Sequence, residues 1–252
     1  MMGEVSIEDL SMGQLIRGDA LKELKVFPNN LIPLVCTDPP YNIGKQCGPR
    51  AEKKGKSLFA WDDNQDPTTY WNWFKNVFAE IYRVMTDGYL YVSHSDKGVW
   101  TAKPILETIG FNYIQSLVWW GKNGYNLRLA RHCWSYRHEI ILFMKKGVPG
   151  PLICDEKGMW FTSVIEASRP QSNYKEGRYH PTQKPVKLYK TLIQRTPGRV
   201  VLDPFMGSGT TALACQALGR KFIGIELYPK YCRIIKKRLE QSATIERTVN
   251  DD

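Results

Sequence analysis

Residues 200–226 constrain the fold more than any other part of the chain. Val200-Val201-Leu202 is a short apolar run that stops at Asp203. Pro204-Phe205-Met206-Gly207-Ser208-Gly209 follows, then a helix-forming stretch from Thr210 to Leu218 closed by Gly219. Lys221 to Ile225 is a second strand candidate, and it stops at Glu226. Strand, glycine turn, helix, strand predicts a βαβ unit with its two strands parallel. Glycine at the helix end is the expected C-cap. Leu227 to Glu240 reads as a basic amphipathic helix.

The same grammar appears near the start. Leu31 to Thr37 is an apolar strand stopping at Asp38, followed by Pro39-Pro40-Tyr41. Tyr70 to Met85 reads as an aromatic-rich helix, with Asp87-Gly88 after it and a strand over Tyr89–Val92. Lys103 to Thr108 is helical and stops at Gly110. Tyr113–Trp120 and Glu139–Met144 read as antiparallel neighbours late in the sheet. The alternation predicts an α/β fold: a Rossmann-like open mixed sheet, helices on both faces and one antiparallel strand near the edge. At 252 residues the chain suffices for a single domain over 1–252 with a sizeable core.

Two segments interrupt the alternation. Residues 43–58 carry Lys45, Arg50, Lys53, Lys54 and Lys56 and read as a mobile basic loop. Residues 147–185 are rich in glycine and proline. Long irregular loops inside a compact domain are usually functional. The net charge of +10 points to a polyanionic partner. No apolar run approaches the roughly 20 residues that span a bilayer, and no basic start leads into an apolar run, so neither a membrane protein nor a secretory signal is expected. Cys36, Cys47, Cys133, Cys154, Cys215 and Cys232 form no C-x-x-C pair and read as reduced thiols of a cytoplasmic protein. His132, Cys133 and His138 match no zinc spacing, and no metal is expected.

The glycine turn lets a ligand approach the backbone closely. It is neither G-x-G-x-x-G nor a P-loop, so neither a dinucleotide nor a triphosphate is indicated. Glu226 at the end of the second strand is placed to accept both ribose hydroxyls. Asp203 at the lip of the turn suits a cationic ligand group, so an adenosine bearing an ammonium or sulfonium fits these charges. The competing reading is a structural turn with a surface glutamate. Asp38-Pro39-Pro40-Tyr41 points to a substrate. A proline nitrogen has no hydrogen to donate. Asp38 and the Pro39 carbonyl are two acceptors beside a flat ring, which suits a planar group with an exocyclic amine. Hydrogen bonds from both N–H groups would localise the amine lone pair and aim it at an electrophile. The competing reading is a sheet-edge turn.

Asp38-Pro39-Pro40-Tyr41, Asp203 to Thr211 and His180-Pro181-Thr182-Gln183-Lys184-Pro185 together resemble the signature blocks of S-adenosylmethionine-dependent amino DNA methyltransferases. Gly18-Asp19-Ala20 resembles that family's opening block. The catalytic block precedes the cofactor block, the permuted order of the β class. The resemblance implies methyl transfer to the exocyclic N6 amine of adenine in double-stranded DNA, by base flipping and direct transfer. Asp38 and the Pro39 carbonyl would hold the amine in the Asp38–Pro40 turn, and Tyr41 would stack on the base. The Asp203 loop, with Phe205, Gly207, Ser208, Gly209, Thr210 and Thr211, would bind the methionine end of S-adenosylmethionine. Glu226 would take the ribose; Asp19 and Ala20 would lie near the adenine. His180, Thr182 and Lys184 would close over the cofactor.

DNA contacts are expected from the 43–58 loop, from Arg128 and Arg131 among the aromatics of residues 119–138, and from Arg169, Lys175 and Arg178 in a target-recognition insertion at 147–179. Trp119 and Trp120 are expected in the core. The basic run Lys230, Arg233, Lys236, Lys237 and Arg238 is expected to be a solvated helix face. The resemblance also implies a homodimer, a cognate restriction endonuclease or a solitary or phage setting, and no further C-terminal DNA-binding domain. Cytosine-N4 methylation stays open, although cytosine enzymes more often carry Ser where Asp38 stands. An RNA adenine substrate and a non-catalytic DNA-binding subunit are further alternatives. An oxidoreductase fails for want of the dinucleotide fingerprint.

Overall fold

The computed structural model describes residues 13–43, 64–123, 134, 136–173 and 176–250. Along the chain run β1 (Gly13–Arg17), α1 (Ala20–Leu24), β2 (Ile32–Thr37), α2 (Pro67–Val84), β3 (Met85–His94), α3 (Val99–Ile109) and β4 (Asn112–Trp120). They are followed by β5 (His138–Lys146), β6 (Val164–Glu166), α4 (Val186–Arg195), β7 (Val200–Asp203), α5 (Thr210–Gln216), β8 (Lys221–Glu226) and α6 (Pro229–Asn250). The strands form one sheet in the order β1-β8-β7-β2-β3-β5-β4-β6. Every pairing is parallel except those of β5, which runs against both β3 and β4. The expected mixed sheet, with its antiparallel strand near one edge, is present.

Period-two alternation sends each central strand's side chains to two cores. In β2, Val35 faces one cluster while Leu34 and Cys36 face the other, and Ile32 joins the cluster of Val35 because the register shifts between Ile32 and Leu34. In β3, Leu90 and Val92 oppose Tyr89 and Tyr91 in the same way. Both faces are covered, so the central strands read as continuous apolar runs. The first cluster is closed by α1, α2 and α3, the second by α4, α5 and α6. In α2, Asp66 caps the first turn by accepting from the Thr69 N–H at 2.9 Å, with Pro67 at the first helical position. Tyr70, Phe74, Val77, Phe78 and Ile81 form its buried stripe. Burying one such Phe contributes about 1.5–3 kcal/mol.

Several boundaries differ from expectation. The chain passes from α2 directly into β3, so Asp87 and Gly88 lie inside a strand rather than at a turn. A Cβ at Gly88 would stand 2.0 Å from the Pro33 carbonyl oxygen, so this glycine serves a close backbone approach. Helix α3 begins at Val99, ahead of the expected Lys103. The irregular 147–185 stretch contains β6, which extends the sheet parallel to β4. Three further elements, β1, α1 and α4, were not foreseen. Residues 44–63, which hold most of the basic loop, lie outside the described residues.

Sheet order places the site. From β2 the chain steps to β3 on one side, while β7 flanks β2 on the other. Ligands of open α/β sheets bind where the strand order reverses, beyond the carboxyl ends. Asp38 just after β2 and Asp203 at the end of β7 therefore share that edge.

Candidate active site

A cleft of about 150 Å³ opens beyond the carboxyl ends of β2, β7 and β8. Glu226 ends β8, and β1 pairs with β8 so that Arg17 lies opposite Glu226. The Gly18 N–H donates to the Glu226 carbonyl at 3.1 Å, which brings Asp19 and Ala20 to the cleft wall. Pro204, Phe205, Gly207, His180 and Thr182 line the cleft as well. Among the described residues, Asp19, Asp38 and Glu226 line this cleft and no Lys or Arg does. Burial first, then Lys184, lowers His180 to about 4, so it adds no cation near neutral pH.

The glycine turn is built for its backbone. Gly207 and Gly209 have φ of 55° and 85°, left-handed values that cost other residues about 1 kcal/mol or more. Met206 packs against Gly224 of β8, where a Cβ would stand 1.9 Å from the Met206 methyl and make that side chain shift. The Glu226 carboxylate accepts from the Gly207 N–H at 2.8 Å and the Tyr228 N–H at 2.9 Å. Each oxygen keeps further acceptor capacity.

Asp203 lines a second, smaller cavity together with Lys184, Gly207 and Ser208. It is 3% exposed and its carboxylate holds the turn together. Oδ1 accepts from the Phe205 N–H at 3.0 Å and from Thr37 Oγ1 at 3.2 Å, and Oδ2 accepts from Thr211 Oγ1 at 2.5 Å. All these donors are neutral, and burial raises its carboxyl to about 7. Ser208, Thr210 and Thr211 are buried as well. Thr210 Oγ1 donates to the Lys184 carbonyl at 3.0 Å, and Arg238 Nη1 donates to the Ser208 carbonyl at 2.7 Å. Arg238 is therefore a clamp on the turn and no part of a solvated helix face; it is 5% exposed and pairs with Glu176 at 3.5 Å.

Asp38 sits in a charged cluster. Oδ1 accepts from Tyr41 Oη at 2.5 Å, and Oδ2 pairs with Lys184 Nζ at 2.7 Å. The same ammonium lies 2.9 Å from Glu139 Oε2 and donates to Tyr41 Oη at 3.1 Å. Glu139 Oε1 in turn pairs with Arg169 Nη1 at 2.9 Å. Lys184, expected on the cofactor, instead turns its ammonium to Asp38. Arg169, expected at DNA, turns inward to Glu139 and lies over the Trp119 ring at 4.6 Å. Burial raises the Asp38 carboxyl above its usual value although Lys184 opposes it. Glu139 is buried too, but Lys184 and Arg169 outweigh burial and hold it below the usual range. Burial also works against the Lys184 ammonium, and Asp38 and Glu139 outweigh it, so Lys184 stays charged.

A second set of side chains shapes the turn from behind. The Ser95 N–H donates to His94 Nδ1 at 2.9 Å, so the neutral ring carries its proton on Nε2. Burial lowers His94 to about 3, consistent with a neutral ring. Nε2 meets Tyr70 Oη at 2.9 Å, and Tyr70 donates to the Pro40 carbonyl at 2.7 Å. Among the described residues nothing donates to the Pro39 carbonyl. The His94 ring stacks on Tyr41 at 4.8 Å and on Trp71 at 5.5 Å.

Sequence reasoning missed Glu139, His94, Tyr70, Trp71 and Arg238. Glu139 opens an apolar strand about 100 residues from Asp38, and no local pattern marks it. Trp119 is buried as expected, with Nε1 donating to the Ala167 carbonyl at 2.7 Å, while Trp120 is half-buried. Arg178 is exposed and donates to the Pro181 carbonyl at 2.8 Å. Lys45, Arg50, Lys53, Lys54, Lys56, Arg128, Arg131 and Lys175 lie outside the described residues.

A family model described as a DNA methylase, N6_N4_Mtase, matches residues 32–237. The putative methylase YubD of Escherichia coli (strain K12) is 31% identical over 249 residues, covering 96% of this chain and 97% of that protein. DNA adenine methyltransferase YhdJ of the same strain is 31% identical over 257 residues, covering 90% of this chain and 82% of that protein. The crystal structure of the M1.HpyAVI–SAM complex superposes with a TM-score of 0.70 at 24% identity, covering 90% of this chain and 99% of that one. The family model takes in both acidic strand ends, the glycine turn and the 180–185 segment, and the chain belongs to the DNA methylase family.

Proposed function

We propose that the chain transfers a methyl group from S-adenosylmethionine to the N6 amine of adenine in DNA. The observation that carries this reading is that the Asp38–Tyr41 turn lines the same cleft as Asp19, Phe205, Gly207 and Glu226, with no Lys or Arg lining it among the described residues. The cleft fits that cofactor: Glu226 has spare acceptor capacity for ribose hydroxyls, Phe205 offers an apolar wall, and the acids suit a sulfonium better than a phosphate. When bound, S-adenosylmethionine supplies an electrophilic methyl. Asp19 and Ala20 would hold its adenine, and the Gly207–Gly209 backbone its methionine end.

The chain's own residues orient the acceptor. The adenine enters flipped out of the duplex. Asp38 accepts one N–H of the exocyclic amine and the Pro39 carbonyl accepts the other, which localises the lone pair and aims it into the cleft. Tyr70 donates to the Pro40 carbonyl and so braces the turn that presents the Pro39 carbonyl. Tyr41, backed by His94 and Trp71, offers the stacking face. Positioning of donor and acceptor supplies much of the acceleration. Adenine is favoured by Asp38 and by the similarity to DNA adenine methyltransferase YhdJ. DNA contacts come from Arg178, from the 147–179 segment and from the basic residues of 43–58.

Mass spectrometry of nucleosides from mixed-sequence duplex DNA, incubated with the protein and S-adenosylmethionine, tests this. N6-methyladenine is the expected product. N4-methylcytosine would keep the site and overturn the base, and no modified nucleoside with cofactor bound would overturn the reading.

A further inference from the structure

We propose that Lys184 is a positioning residue for the transfer rather than a cofactor contact: it holds Asp38 as a carboxylate turned to the substrate, within a set completed by Glu139 and Arg169. This rests on the reading above, which needs Asp38 as a hydrogen-bond acceptor.

The geometry comes first. The Lys184 ammonium is 5% exposed and held by three oxygens: Asp38 at 2.7 Å, Glu139 at 2.9 Å and Tyr41 at 3.1 Å. A buried ammonium needs such partners. Its backbone carbonyl accepts from Thr210 Oγ1 at the start of α5, which ties Lys184 to the glycine turn. Two cations face two carboxylates across the set, and Arg169 holds Glu139 from the far side. Glu139 thus has its own counter-charge and does not depend on Lys184 alone.

The charges facing Asp38 explain why the ammonium matters. Glu139 from β5 is a like charge that disfavours an ionised Asp38, and Asp38 in turn helps to raise the Asp203 carboxyl on β7. Tyr41 and Tyr189 present hydroxyls that burial keeps protonated, and His94 is neutral. Lys184 is the cation in contact, and Arg169 stands one carboxylate further out. Asp203 is the internal comparison: the same sheet edge, neutral donors only, and a carboxyl raised to about 7. A protonated Asp38 would offer a donor where the target amine needs an acceptor.

The test reads Asp38 directly and then through turnover. In Lys184→Met the Asp38 carboxyl, followed by carbon-13 NMR, titrates higher, and the acid limb of kcat/KM moves up by about 1–3 pH units. In Glu139→Gln both move down, because a like charge is gone. Lys184→Arg falls between wild type and Lys184→Met. Affinity for S-adenosylmethionine, measured by calorimetry, stays at the wild-type value in all three. Should Lys184→Met not fold, the downward movement in Glu139→Gln and the intermediate profile of Lys184→Arg carry the test. An unmoved Asp38 titration, or cofactor affinity lost in step with turnover, overturns the proposal. If the titrations move as stated while the wild type methylates no DNA, the electrostatic role stands and the proposed reaction falls.

Discussion

Asp38 and Asp203 stand at the ends of neighbouring parallel strands, barely apart in the fold, and are used in opposite ways. Asp203 spends its carboxylate on Thr37, Phe205 and Thr211, all neutral donors within its own framework. Asp38 meets a phenol and an ammonium, and beyond them an alternating series of carboxylate and guanidinium. The first acid builds a turn; the second is kept ready for a guest. The partner decides which, because a buried carboxylate without a counter-charge drifts toward its neutral form.

Three substitutions test that contrast, ordered by effect on methylation. Asp38→Ala removes the acceptor of the target amine. Turnover should fall on the order of 10²–10³-fold or more, by analogy with removing one preorganised hydrogen-bonding group, while calorimetry shows the cofactor still bound. Equal loss of cofactor binding would mean the two acids are not divided as described. Glu226→Gln weakens acceptance of the ribose hydroxyls and should raise the cofactor dissociation constant roughly tenfold, near 1.4 kcal/mol, with maximal rate nearly kept. A fall in maximal rate at saturating cofactor would remove Glu226 from that role.

Asp203→Asn should affect turnover least and pH-dependent stability most. The folded carboxyl lies at about 7, above the unfolded value of 3.8. Its stabilising contribution is therefore complete below the unfolded value and is lost as pH rises through the folded one. The wild-type melting temperature, taken relative to Asp203→Asn, should fall by several degrees between about pH 4 and pH 8. A flat difference would show that Asp203 is ionised throughout and as well compensated as Asp38.

Much was legible without coordinates where chemistry and spacing are local. The strand before Asp203, the glycine turn, the helix and the strand before Glu226 are adjacent in sequence, and their periodicity survives folding. The Asp38–Tyr41 turn announces itself because two prolines after an apolar strand leave few conformations. Element edges were less legible. Asp87-Gly88 reads as a turn until the Pro33 backbone is seen to press against Gly88. Short β6 is held by its pairing with β4, not by its own sequence.

The order of residues thus set the periodicity, the two acidic strand ends and the glycine turn, because each follows from neighbours a few bonds away. Tertiary structure alone decided what each acid faces. Sheet order put β1 beside β8, and so Asp19 at the cleft. It carried Glu139 and Arg169 to Lys184, and Lys184 to Asp38, across separations no local pattern encodes. Coulomb energy depends on distance in space and on burial, and neither is written along the chain.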